Sequence, residues 1–237
     1  MTVLDTLLRV QEHDTTLDQL RHRRETLPER AALADIVNRI VDTDAQLAAA
    51  RALRDDAAGR QAALEAEMTT AENRITEVEK RLYGGTVSAS RELQAMSEEV
   101  KHLQSRRSAF EDQALEVMEE REPLDAEVDR LESLRTSLED DAAAAREALS
   151  LAEDAVDKDI AAVAAERSSV AEGIPADLTA TYQKLRDRLG GVGAARLVGS
   201  NCSGCHLSLP ATELDRIRHS SGDELFFCDQ CGRILVR

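Results

Sequence analysis

From Leu33 onward, residues return to one helical stripe at alternating steps of three and four: Leu33, Ile36, Ile40, Thr43, Leu47, Ala50, Arg54, Ala57, Gln61, Leu64, Met68, Ala71, Ile75, Val78 and Leu82. Twelve of these fifteen positions are apolar, so the stripe is a heptad seam that must face another helix along its whole length. A second seam starts at Leu93 and Met96, passes Arg107, Arg121, Leu124, Val128 and Arg135, and ends at Val156, Asp159, Val163, Glu166 and Val170. Between the seams lies Tyr83-Gly84-Gly85-Thr86-Val87-Ser88-Ala89-Ser90, where two glycines end one helix and Ser88 or Ser90 would cap the next. A connection this short makes the two helices antiparallel neighbours. The register then sets Leu82 near Leu93, Leu47 near Val128 and Leu33 near Ala142.

Composition agrees with a rod. Only five residues are Phe or Tyr and none is Trp, while 32% are charged, which leaves few large side chains for a thick core and suits long helices. Two prolines interrupt the pattern differently. Before Pro28 the set Val3, Leu7, Val10 and Leu17 has a different heptad phase, so a break falls near 26–28, with Thr26 as the cap of the following helix. Across Pro123 the phase is kept, which predicts one continuous, kinked helix. The register also sets Arg54 opposite Arg121, and both are expected to reach outward to acids such as Asp55, Asp56 and Glu120.

After Val170 the sequence changes. Ala176 to Leu189 reads as a short amphipathic helix, and a strand at Ala194 to Gly199 leads into Cys202-Ser203-Gly204-Cys205. Phe226-Phe227 leads into Cys228-Asp229-Gln230-Cys231, followed by the strand Ile234-Leu235-Val236, and a short helix capped by Thr212 lies between the two cysteine pairs. Two C-x2-C turns, each preceded by a strand, supply Cys202, Cys205, Cys228 and Cys231 as ligands of one tetrahedral Zn2+. Four thiolates leave no position for a water, so the metal is structural and activates no nucleophile. His206 follows Cys205 and is the alternative fourth ligand. The chain is therefore expected to be mainly α: an antiparallel coiled-coil hairpin over residues 1–172 with its tip at 83–90, and a C4 zinc ribbon domain with a short preceding helix over 173–237.

Charge separates the two parts. Residues 1–175 carry 22 Lys+Arg against 39 Asp+Glu, whereas residues 176–237 carry 8 against 7. An acidic rod repels phosphate, so any nucleic-acid contact falls to the ribbon, where Arg196, Arg216, Arg218, Arg233 and Arg237 are the candidate residues for nucleic acid or a protein partner. His13, His22 and His102 sit on rod helices away from any strand-turn-helix frame or phosphate loop, so no catalytic residue and no small-molecule substrate are expected. No apolar run is long enough for a membrane span and Met1-Thr2-Val3-Leu4-Asp5 lacks a basic region followed by an apolar one, so a cytoplasmic chain is expected. In a reducing cytosol two close cysteine pairs serve as metal ligands and not as disulfides. Whether residues 3–20 fold back or pair with a second copy stays open at this level.

The tip Tyr83-Gly84-Gly85-x-Val87 with Glu92-Leu93, and the close Cys202-x2-Cys205 with Phe227-Cys228-x2-Cys231-Gly232-Arg233-Ile234-Leu235, together resemble the bacterial coiled-coil proteins with a C-terminal C4 zinc ribbon. The resemblance covers essentially the whole chain. It implies a non-enzymatic adaptor or chaperone, linked in some bacteria to flagellar gene expression and the nitrogen-type alternative sigma factor and in others to type III secretion. RNA binding is also implied for that family.

Overall fold

The computed structural model describes residues 2–85, 87–220 and 224–237, so Thr86 of the expected tip lies outside the described residues. The elements are α1 (Val3–Glu25), α2 (Pro28–Tyr83), α3 (Ser90–Ala171), α4 (Ala176–Arg188), β1 (Ala194–Val198), β2 (Asn201–Cys202), α5 (Ala211–His219), β3 (Phe226–Phe227) and β4 (Ile234–Val236). The architecture is a long helical hairpin with a small C-terminal zinc ribbon region. Contacts divide the chain into two compact units, Leu33–Ala144 on one hand and Met1–Ala32 with Ala145–Arg237 on the other.

In the unit formed by residues 33–144, α2 and α3 run antiparallel and pack as the heptads require. All seven buried residues of α2, Thr43, Leu47, Ala50, Ala57, Ala71, Ile75 and Val78, are seam positions. Leu47 and Ala50 cluster with Val128 and Leu131, and Ile75 and Val78 with Met96 and Val100, which reproduces the expected register. Each large aliphatic chain fully buried in such a seam contributes about 1.5–3 kcal/mol. Ion pairs also cross between the helices, at Arg60–Glu120, Arg74–Glu99 and Arg107–Glu72. Their charged groups remain exposed, so each adds about 0–1 kcal/mol and fixes orientation more than stability. The facing seam arginines Arg54 and Arg121 do swing out, Arg54 to Asp55 and Arg121 to Asp125 and Gln61. Asp56 and Glu120, the other two acids expected for them, are both taken by Arg60 instead.

In the second unit α1 pairs antiparallel with the C-terminal part of α3, joined by Arg24–Asp157 and Arg167–Asp14, and Arg30 in the first turn of α2 adds an ion pair to Glu153. Here two of the expected α3 seam positions shift by one residue, while Val156, Val163 and Val170 stay sheltered as expected. Asp159 and Glu166 are exposed, and Ile160 and Arg167 take the sheltered positions. The partner along this stretch is α1, and Arg167 turns inward because the Asp14 carboxylate on α1 receives it. Thr26 does not cap α2: its N–H and its hydroxyl both bond to the His22 carbonyl, so it closes α1. Pro28 opens α2, where a missing N–H is harmless.

The sheet has the order β2-β1-β4-β3, with β1 and β4 parallel and both outer pairs antiparallel. Strand alternation sends Ala194, Ile234 and Val236 to one face, where Leu4, Leu7, Leu8 and Val10 of α1, Ile174, and Tyr182 and Leu185 of α4 cover them. Ala195 and Leu235 point to the other face, against Leu214 and Ile217 of α5, Phe226, and the cysteines. All three residues of β4 are therefore buried, as expected of a strand covered on both faces. The N-cap of helix α5 is Pro210, two residues before the expected cap Thr212. The Pro210 carbonyl accepts from Glu213 and Leu214, which puts Thr212 inside the first turn.

Candidate metal centre

Each cysteine pair sits in a turn built to the same plan. In the first, the His206 N–H donates to the Cys202 carbonyl at 2.7 Å and the Cys202 N–H to the Leu207 carbonyl at 3.1 Å; in the second, Gly232 donates to Cys228 at 2.7 Å and Cys228 to Arg233 at 2.9 Å. The flanking pairs match as well, Asn201 with Ser208 and Phe227 with Ile234, each one residue before and six after the first cysteine of its turn. Strand pairing thus fixes the mouth of both turns and aims all four sulfurs inward.

The four Sγ atoms lie within 4.8 Å of one another. Cys202 and Cys231 are 3.9 Å apart and Cys205 and Cys228 3.8 Å, too far for disulfides, whose S–S distance is about 2.0 Å. A tetrahedron with Zn–S of about 2.3 Å has an edge of about 3.8 Å, so the donor set fits zinc. Backbone N–H groups support the sulfurs, as Gly204 does at 3.4 Å from Cys202 Sγ. Burial pushes the Cys202 thiol up and that of Cys228 up to about 12. At Cys231 burial is outweighed by hydrogen bonds from Arg233 and its neighbours, which bring the thiol to about 7. Four thiolates held this close would repel one another, and one structural Zn2+ supplies the opposing charge.

Equivalent positions in the two turns carry different residues. Gly232 has φ 74° and His206 φ 61°, the left-handed region that glycine enters freely and other residues enter at about 1–2 kcal/mol. His206 is exposed and lies outside the sulfur group. His206→Gly is therefore expected to keep the zinc and to stabilise the protein by about 1 kcal/mol, read as a small rise in the midpoint of thermal unfolding.

The five ribbon arginines are not equivalent. Arg233 donates to the carbonyls of Val192 at 3.0 Å and Leu189 at 3.2 Å, and Arg237 to those of Ile217 at 2.8 Å and Ser220 at 3.2 Å. Both guanidiniums are committed to holding the fold. Arg216 lies over the Phe226 ring, 5.4 Å from its centre, and 3.8 Å from Glu213, while Arg196 and Arg218 point outward.

Beside the sheet is a buried polar network that sequence reasoning missed. Tyr182, fully buried, donates to Asp14 at 2.8 Å, and Arg167 grips the same carboxylate at 2.8 and 3.2 Å. Gln11 accepts from the N–H of Gly193 at 2.7 Å and donates to the Gly191 carbonyl at 3.0 Å. A Cβ at Gly193 would come within 2.8 Å of the Tyr182 carbonyl oxygen, so only glycine lets the chain pass there. Burial opposes the charge on Asp14, but the hydrogen bonds from Arg167 and Tyr182, with Arg186 nearby, outweigh it and hold the carboxyl below its usual range. Burial and then the Asp14 carboxylate push the Tyr182 phenol far above its own. One signal was readable: Asp14 falls on the stripe Val3, Leu7, Val10, Leu17, where a carboxylate has no reason to be unless it has a partner.

Residues 10–190 match the CT398-like coiled coil hairpin domain and residues 201–235 a C4-type zinc ribbon domain. The uncharacterized protein MT2288 of Mycobacterium tuberculosis is 30% identical over 231 residues, which cover 98% of this chain and 94% of that protein. A solved structure from Mycobacterium smegmatis is similar with a TM-score of 0.90 at 28% identity, over 99% of this chain and 97% of that one. The structure of CT398 from Chlamydia trachomatis shares the fold with a TM-score of 0.74 at 20% identity, over the same shares of the two chains. Among the described residues no helix is long and apolar enough to cross a membrane.

Proposed function

Because this chain belongs to the CT398-like coiled-coil hairpin family and carries a C4-type zinc ribbon, we propose that it is a non-enzymatic adaptor that binds other proteins through its coiled coil and its ribbon. Cys202, Cys205, Cys228 and Cys231 are then the ligands of its structural zinc. The observation that carries this reading is how little of the hairpin is used internally. In α2 only seam positions are buried, so the remaining faces of two long helices are free to hold partner helices. The zinc site, with four sulfurs and no open position, favours a structural role over a catalytic one. The roles that the resemblance implies, in flagellar gene expression or in secretion, would be exercised through such a partner, in a reducing cytoplasm that keeps the thiols free for metal.

A second reading rests on Arg196, Arg216 and Arg218, whose exposed guanidiniums would contact nucleic-acid phosphates. One experiment separates the two. The zinc-loaded full chain is used as bait in native lysate, with and without nuclease, and captured species are retested as purified components. The adaptor reading expects a protein that binds directly and survives nuclease. Capture of RNA or DNA alone, lost on Arg196→Glu with Arg218→Glu and weakening steeply with salt, would replace it with the second.

A further inference from the structure

We propose that the middle of the hairpin, beside Leu115 and Met118 of α3, is a docking site for a basic amphipathic helix of another protein; this deepens the adaptor reading and rests on it. An open groove of about 480 Å³ lies here, with Leu115 and Met118 on its wall and Gln61 and Arg121 beside them. Leu115 is 54% and Met118 49% exposed. They stand one helical turn apart, off the seam, and so form a small apolar strip that the hairpin itself does not use.

The seam beneath them is also the least apolar part of the rod. Arg54, Gln61 and Arg121 occupy seam positions between the cluster around Leu47 and Val128 and the cluster around Ile75 and Val100. Arg121 bonds to Asp125 and Gln61, and Arg60 on α2 to Glu120. Glu119 and Glu122, both lining the groove, have no ion pair among the described residues.

Charge selects the occupant. Residues 111–129 contain nine carboxylates and one guanidinium, that of Arg121. Over residues 33–144 there are 14 Lys+Arg against 26 Asp+Glu, so a second copy of this rod would bring like charge to the groove, and a nucleic acid would bring more. A helix with apolar residues at heptad spacing and Lys or Arg on its flanks answers both features. Its apolar knobs pack against Leu115 and Met118, and its cations meet Glu119 and Glu122.

The test uses the zinc-loaded full chain and a fluorescein-labelled peptide of about three heptads with Leu at the a and d positions and Lys at e and g. Controls are a scrambled peptide of the same composition and one with Glu in place of Lys. The ordered Lys peptide is expected to raise the anisotropy in a saturable way that weakens with salt, and neither control to do so. Leu115→Glu with Met118→Glu is expected to weaken binding by about tenfold or more, with the helical circular dichroism unchanged. Leu151→Glu, at another exposed leucine, is expected to leave binding as it is.

The sign is diagnostic, because added carboxylates would strengthen a merely electrostatic attachment. Equal binding of the scrambled peptide, no binding of the ordered one, or undiminished binding to the double variant would overturn the proposal. So would a dimer in light scattering that the double variant abolishes, since the occupant would then be a second copy. A protein partner captured equally by wild type and double variant would remove this site while leaving the adaptor reading intact.

Discussion

Cys228→Ser is expected to leave the purified protein without bound zinc and residues 194–237 without their sheet. The strands are two to five residues long, too short to hold each other unaided. Structural zinc contributes about 10–16 kcal/mol of apparent binding free energy in comparable small sites, so losing one of four sulfurs removes the largest single source of order in the ribbon. Metal analysis should fall from one zinc per chain toward none, and near-neutral chelation of the wild type should reproduce the loss of structure. Most of the helical circular dichroism should persist, because the seam of residues 33–144 contains no metal ligand. A variant that keeps one tightly held zinc would show that Cys228 is not a ligand.

The second large effect is expected at Asp14. Asp14→Ala leaves Arg167, Arg186 and Tyr182 facing a site only 4% exposed, and stranding buried partners of a lost charge costs about 3–5 kcal/mol. Tyr182→Phe removes one hydrogen bond and should cost about 1–3 kcal/mol. The pH dependence has a definite sign. The folded Asp14 carboxyl titrates below its unfolded value of about 3.9, so the folded state binds that proton less readily than the unfolded state. Its stabilisation is complete above the unfolded value and is lost as the pH falls through the lower, folded one. Urea unfolding followed by exchange in α1 and α4 should show wild type losing stability below about pH 4 and Asp14→Ala losing less of it over the same interval.

The hairpin was legible because a heptad seam is a long, repeated signal. Leu47 beside Val128 follows from counting back from Gly84-Gly85, and one error of register would have sent many positions to the wrong face. The cysteine turns were legible because two close pairs at fixed spacing have few other uses. Reading failed where a contact joins residues far apart in the chain. Asp159 and Glu166 were placed on the seam by extending the α3 heptad past the point where its partner becomes α1, and a new partner brings its own phase. Thr26 and Thr212 were read as caps by type alone, whereas Pro28 and Pro210 decide where those helices begin. The Gln11, Asp14 and Tyr182 network spans about 170 residues of sequence, and its one local trace is the carboxylate of Asp14 on the apolar stripe of α1.

Packing gives the zinc a wider role than the spacing of its ligands implies. One face of the sheet rests on α5 and the cysteines, the other on α1 and α4, so α1 and the last strand of the chain fold as parts of one body. The most direct measurement is hydrogen exchange of the full chain with zinc bound and after its removal by a chelator. Coupling predicts that amides of residues 7–17 in α1 are protected with zinc and exchange much faster without it, while those of residues 47–78 in α2 do not change. If α1 keeps its protection after the metal is gone, the helix does not depend on the ribbon, and zinc orders only the segment that binds it.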